Sequence, residues 1–163
     1  IYDTLNGMNH NDPGIILKNL EFNYIRSKIW NQHYSYVRKL KGNSSNKKFM
    51  FLELRKNIAI KEYLKYFPDD DELFEIYKLE LYDTTTKLFN FYQIWKVRKN
   101  SDGQHIYQKV TEIDYEYRPL CIDLHEEFKT TKQITDKRKV ISYINNLPIA
   151  KLLFVINYKY RTV

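Results

Sequence analysis

Four histidines, one cysteine and a few clustered carboxylates are the side chains with which this chain can do acid–base or metal chemistry. No two of His10, His33, His105 and His125 stand four residues apart, and no H-E-x-x-H occurs, so the spacing of a zinc site on a helix is missing. The densest cluster is His125-Glu126-Glu127, with Asp123 two residues earlier. A carboxylate beside an imidazole can act as a general base. Adjacent residues of a strand face opposite ways, however, and a cluster at a strand end is more simply a solvated one. A second cluster, Asp69-Asp70-Asp71-Glu72 with Lys78 downstream, has the residue types of a Mg²⁺ site. Its spacing matches no metal motif, and a charged loop accounts for it at lower cost. Cys121, alone and flanked by Leu120 and Ile122, reads as a small buried hydrophobe rather than a nucleophile. Neither a glycine-rich phosphate loop nor a G-x-S-x-G elbow is present. The expectation is therefore no catalytic residue, no metal ligand and no cofactor.

Binding chemistry is better represented. Arg38, Lys39, Lys41, Lys47, Lys48, Arg55, Lys56, Lys61 and Lys65 interleave with Tyr34, Tyr36, Phe49, Tyr63 and Tyr66. Cations neutralise phosphates and exposed aromatic rings stack on bases, so residues 34–66 form a candidate nucleic-acid or acidic-partner surface. Within it Arg38, Lys39, Lys41, Lys47, Lys48, Arg55 and Lys56 are the candidate patch. Against this, arginine is scarce beside lysine, which disfavours bidentate recognition, and no RNP, KH or zinc-finger signature appears. Tyrosine and tryptophan also anchor protein interfaces, offering a large area with one polar handle. Trp30, Tyr34, Tyr36, Tyr158 and Tyr160 are the candidate anchors, with core packing as the plain alternative for each.

The charge is uneven around a net +7. Residues 1–66 hold twelve Lys/Arg against five Asp/Glu, residues 67–97 three against seven, and residues 98–163 twelve against eight. A basic amino-terminal part beside an acidic stretch suits an acidic partner or a second copy of the chain. The fifteen tyrosines point to pleated, half-buried surfaces, although Lys, Asn, Ile, Tyr and Phe also rise together in AT-rich genomes. No apolar run reaches the roughly 18–20 residues that span a bilayer. The chain starts at Ile1 rather than methionine, which fits removal of a leader, and Asn43-Ser44-Ser45 forms a glycosylation sequon.

The elements expected to position these residues are mostly strands. Leu73, Tyr77, Leu79 and Leu81 alternate on one face, as do Phe89, Phe91, Trp95 and Val97. With turns at Asp83–Lys87 and Asn100–Gly103, residues 73–117 read as a three-strand antiparallel meander. Residues 1–14 read as irregular. Ile15–Trp30 has competing periods and leans to helix, His33–Leu40 and Phe49–Leu54 read as strands, and Lys41–Lys48 as a loop. Ile58–Phe67 reads as a helix stopped by Pro68, and a helix capped at Thr135-Asp136 runs to Asn146 before Pro148. Leu120–Leu124 and the final Leu152–Tyr158 read as strands. The expected architecture is a single domain over 1–163, β-rich α+β: an antiparallel meander forming a decorated β-sandwich with two or three helices.

The order of strand, hairpin at Asp102-Gly103, Leu120-Cys121-Ile122-Asp123-Leu124 and a final apolar strand is similar to the arm region of growth-factor prodomains. The tryptophan of that pattern is Pro119 here, and the later one falls near Thr131. This resemblance implies a secreted, non-enzymatic binding module. The reading preferred from the residues themselves is a non-enzymatic binding or assembly protein with a Tyr/Lys-rich protein interface, ahead of a basic aromatic nucleic-acid-binding protein.

Overall fold

The computed structural model describes residues 2–22, 24–96, 111–131 and 136–161, and about 70% of these are helical. The β-sandwich expectation is overturned: among the described residues the strands are two, forming one antiparallel hairpin. Contacts divide the chain into two compact units, residues 1–71 and 72–163.

In the first unit a short helix α1 (Tyr2–Asn6) precedes the hairpin of β1 (Gly14–Lys18) and β2 (Arg26–Trp30). Three helices follow: α2 (Gln32–Lys41), α3 (Lys47–Lys56) and α4 (Ile60–Tyr66), with a 3₁₀ turn at Pro68–Asp70. The helix expected across Ile15–Trp30 is thus a hairpin. Its connection is built by Asn19, whose side-chain oxygen accepts from the backbone N–H groups of Glu21 and Phe22. The strands expected at His33–Leu40 and Phe49–Leu54 are α2 and α3. Each starts on an asparagine, Asn31 and Asn46, whose side chain accepts a first-turn N–H. The helix expected over Ile58–Phe67 is α4, and its buried centre is Tyr63. Met50, Phe51, Leu52, Leu54 and Tyr63 form most of this unit's core, joined by Val37 of α2.

The second unit is built on α5 (Asp71–Lys96), a 26-residue helix where two strands of the meander were expected. Phe74, Leu81, Leu88 and Tyr92 are buried along it, spaced as one face of a helix requires. The expected turn at Asp83–Lys87 lies inside the helix. Thr84 and Thr85 are buried there because their hydroxyls donate to the carbonyls of Glu80 and Leu81, one turn back (2.8 and 2.7 Å). The expected third strand lies largely outside the described residues, and its end, Tyr115–Tyr117, is a 3₁₀ turn.

Leu120–Leu124 belongs to helix α6 (Arg118–Thr131), with Pro119 in its first turn where its missing N–H costs nothing. Helix α7 (Lys137–Asn146) is the one expected there, capped by Asp136, which accepts from the Lys139 N–H (2.8 Å). The final expected strand is helix α8 (Ile149–Tyr158), which buries Leu152, Val155 and Ile156 at i, i+3 and i+4. The strand order behind the prodomain resemblance is therefore absent, since Phe74–Ile156 is helical wherever it is described apart from the 3₁₀ turn and short connections. Among the described residues no single helix is long and apolar enough to cross a membrane.

Leu79 and Leu88 measure the helical period directly. A sheet would bury Leu79 beside Tyr77 and Leu81, whereas in α5 it is 66% exposed and Leu88 is fully buried. Leu88→Ala should lower the unfolding free energy by about 2–5 kcal/mol, and Leu79→Ala should change it by less than about 0.5 kcal/mol. Urea denaturation of the two variants checks both values.

Candidate functional site

The surface that gathers the expected binding residues is built on Asn31, between β2 and α2. Asn31 is buried, and every polar group it carries is used. Its side-chain amide donates to the carbonyls of Asn9 (2.8 Å) and Asp12 (3.1 Å), and its side-chain oxygen accepts from the His33 N–H (2.9 Å). Its backbone N–H donates to the Pro13 carbonyl, while its own carbonyl accepts from the Ser35 N–H and hydroxyl. One residue thereby fixes the 9–13 loop, the end of β2 and the start of α2.

The hairpin register then decides which side chains share a face. Gly14 lies opposite Trp30, Ile16 opposite Lys28, and Lys18 opposite Arg26. Opposed residues point the same way, so Lys18, Arg26, Lys28 and Trp30 occupy one exposed face. Ile15 and Ile29 occupy the other, half-buried face. Gly14 adopts φ +134°, and a Cβ there would lie 2.1 Å from the Ile29 carbonyl oxygen and 2.9 Å from the Trp30 Cα. Only glycine permits that approach, so it sets the start of β1 against Trp30.

Across from this face, Tyr34, Arg38 and Lys41 line one side of α2 at i, i+4 and i+7. The rings of Trp30 and Tyr34 are nearly parallel, 14° apart with centroids at 6.2 Å, and Lys28 Nζ lies 3.7 Å from the Trp30 ring centroid. Trp30, Tyr34, Arg38, Lys39, Gly42 and Asn43 border an open groove of ≈ 590 Å³. Tyr34, Arg38 and Gly42 border a second of ≈ 330 Å³ with Lys41, His10 and Phe67. Gly42 ends α2 at φ 67°, ψ −170°, a conformation essentially reserved for glycine, with its N–H on the carbonyls of Arg38 and Lys39.

The structure therefore brings together Trp30, Tyr34, Arg38, Lys39 and Lys41 and places the other expected residues elsewhere. Tyr36 turns toward α4, where its ring meets Tyr66 edge-on (6.4 Å). Lys47 is held by Asp70 at 2.5 Å and lies 3.4 Å from the Tyr63 hydroxyl. Arg55 is half-buried in α3, where burial pulls its guanidinium down from the ordinary range. Lys48 is half-buried and Lys56 exposed on the same helix. Tyr158 and Tyr160 belong to the second unit: Tyr158 packs near Tyr115 and Phe154, and the Tyr160 hydroxyl donates to Glu80 (2.8 Å). Residues missed in the sequence are Asn31, Lys18, Arg26 and Lys28. The signal for the last three was a run in which residues 13–48 carry eight basic side chains and one acidic one, Glu21.

The clusters that looked reactive make contacts within and between helices. Asp123 accepts from Lys151 (2.6 Å) and from the Tyr143 hydroxyl (2.9 Å), linking α6 to α7 and α8. Glu127 pairs with Lys139 and Glu126 with Lys129. On helix α6 the neighbours of His125 one and two positions away diverge from it, and its ring stacks on Phe128 instead. In the acidic run, Asp71 and Glu72 open helix α5, where its dipole favours negative charge. Asp70 receives Lys47 and the Tyr63 hydroxyl (both 2.5 Å). Burial alone would raise the Asp70 carboxyl, but those two hydrogen bonds and the charges of Lys47 and Lys41 outweigh it and leave it lowered. Cys121 is fully buried, and burial pushes its thiol up to about 12. Among the described residues no group of three metal-ligating side chains converges.

No family model, curated protein or solved structure matches this chain. The reading of the site therefore rests on its own geometry.

Two measurements test that geometry. Asn31→Asp keeps the helix cap but turns two donated bonds into a carboxylate facing two carbonyls, and should cost at least ~2 kcal/mol in chemical denaturation. Asp70 has a folded pKa below its ordinary 3.8, so its contribution is present above that pH and is lost as pH falls further. Acid unfolding of the wild type should steepen below about pH 4, and Asp70→Asn should flatten that limb.

Proposed function

We propose that this chain is a nucleic-acid-binding protein acting through the hairpin face and the α2 stripe of its first unit. The observation that carries the reading is that Lys28, Arg38, Lys39 and Lys41 gather beside Trp30 and Tyr34 with no carboxylate in salt-bridge distance among the described residues. Lys47, Lys65, Lys78, Lys87, Lys129, Lys139, Lys151 and Lys159 each sit within 4 Å of a carboxylate. Among the described residues none of Lys18, Arg26, Lys28, Arg38, Lys39 and Lys41 has such a partner; the first three share the hairpin face, and the last three border the grooves beside Tyr34. Like charges held together on one surface attract a polyanion and release its condensed counterions on binding. The groove beside them, with a half-exposed tryptophan, is open enough to follow a backbone.

A second reading keeps a protein partner, including a second copy of the chain. It is favoured by the hairpin connection, where Leu20 is 94% and Tyr24 80% exposed beside Phe22 and Ile25. Exposed apolar clusters of this kind mark interaction sites. Light scattering against concentration distinguishes it: self-association abolished by Leu20→Ser with Tyr24→Ser would establish the hairpin tip as an interface between copies.

Six phosphate contacts give a log–log salt dependence with slope near −4 for a single strand. Arg38→Ala with Lys39→Ala should reduce that slope by about 1.4 and weaken binding to every sequence alike. Fluorescence anisotropy with a labelled oligonucleotide between 25 and 200 mM salt, roughly the range over which such contacts are read, supplies the test. Binding that ignores salt would exclude the proposal.

A further inference from the structure

We propose that the Trp30 ring is a stacking platform for one unpaired nucleobase, so that the ligand is single-stranded rather than duplex nucleic acid. This inference rests on the nucleic-acid reading above and adds what part of the nucleic acid is recognised. Phosphate attraction alone needs only cations on a surface, yet here an indole lies among them with half its area in water. An indole left half in water forgoes part of the stabilisation that full burial would give it. Its position is nevertheless tightly determined, by the close approach that only Gly14 allows and by the bonds of the adjoining Asn31.

Two neighbours define what the ring can take. Lys28 places its ammonium 3.7 Å from the ring centroid, the distance of a cation–π contact, and so marks an accessible π-face. Tyr34 lies nearly parallel to it, with centroids 6.2 Å apart. A base landing on the indole displaces the Lys28 ammonium, which is on a flexible stem and is then free to take the flanking phosphate. The next phosphates run toward Arg38 and Lys39 along the groove. Paired bases present only their edges, so a duplex cannot use this platform; unstacked bases present a face. Stacking is tolerant of sequence because every base has a π-face.

The test compares, with the full chain, three ligands carrying the same number of phosphates: an oligothymidylate, the same phosphodiester backbone lacking bases, and a duplex of half the length. The oligothymidylate is expected to bind roughly ten-fold or more tightly than the abasic backbone, the size of one or two stacking contacts. Trp30→Ala should abolish that difference while leaving the abasic affinity and its salt slope unchanged, and Trp30→Phe should restore part of it. Circular dichroism establishes that the variants remain folded, and the wild-type comparison decides the matter even if one does not. Equal affinity for the first two ligands overturns the platform and leaves the electrostatic reading standing. Preference for the duplex also overturns it. Binding to none of the three at low salt removes the nucleic-acid reading altogether.

Discussion

The buried amide of Asn31 is the constraint on which the first unit depends. A β-hairpin of two short strands is marginal by itself, and these strands have water on much of both faces. What holds it is a single side chain that donates to a loop on one side and caps a helix on the other. Because both ends of Asn31 are used, the strand cannot tilt away from α2 without leaving a buried donor or acceptor unmet. The relative placement of Trp30 and Tyr34 follows from that fixed junction. The second constraint is steric. Gly14 and Gly42 adopt conformations closed to other residues, and each borders the same surface, one behind Trp30 and one at the foot of α2.

The second unit follows a different logic. Its core is the helical stripe of α5 against the Tyr115–Tyr117 turn and helices α6 to α8, and its polar chemistry joins helices to each other. Asp123 binds α7 and α8 at once, and Glu80 receives Tyr160 while Lys159 sits 3.4 Å away. The reactive-looking residues of the sequence take part in contacts between these elements, whereas Arg38 and Lys39 of the first unit have no carboxylate in salt-bridge distance among the described residues.

How much of this was legible in the sequence depends on which residues are considered. Helices α4 and α7 were readable, because Pro68 and Pro148 end them and Asp136 starts one with an explicit cap. Helix α5 was not. Its buried stripe includes Thr84 and Thr85, residues that signal turns when their hydroxyls are taken to face water; only back-bonding to Glu80 and Leu81 makes them acceptable inside a helix. Leu73, Tyr77, Leu79 and Leu81 also alternate by coincidence, and tyrosine, isoleucine and phenylalanine weight the propensities toward strands. The i, i+7, i+14, i+18 series of Phe74, Leu81, Leu88 and Tyr92 was the stronger signal, since it persists over five turns. For the site, Arg38, Lys39 and Lys41 were visible as a run. Lys18, Arg26 and Lys28 were hidden because a helical reading of Ile15–Trp30 scatters them around an axis, while the hairpin register aligns them.

Charge crowding on a surface has a cost that a fold without a use for it can avoid. Pairing these cations needed only carboxylates at neighbouring positions, a device this chain employs repeatedly along α5 and α6 through pairs three or four residues apart. On α2 the corresponding neighbours of Arg38 and Lys39 are Tyr34 and Ser35, and Lys28 faces Ile16 across the hairpin. At the α2 positions, then, no carboxylate stands one turn away to pair with the cation. An aromatic ring placed among such charges gains no folding energy from them beyond one cation–π contact, whereas a ligand with both phosphates and exposed bases engages all of them. The rigid Asn31 junction matters for that reason: it removes the freedom with which the hairpin and α2 would otherwise move apart and relieve their mutual repulsion.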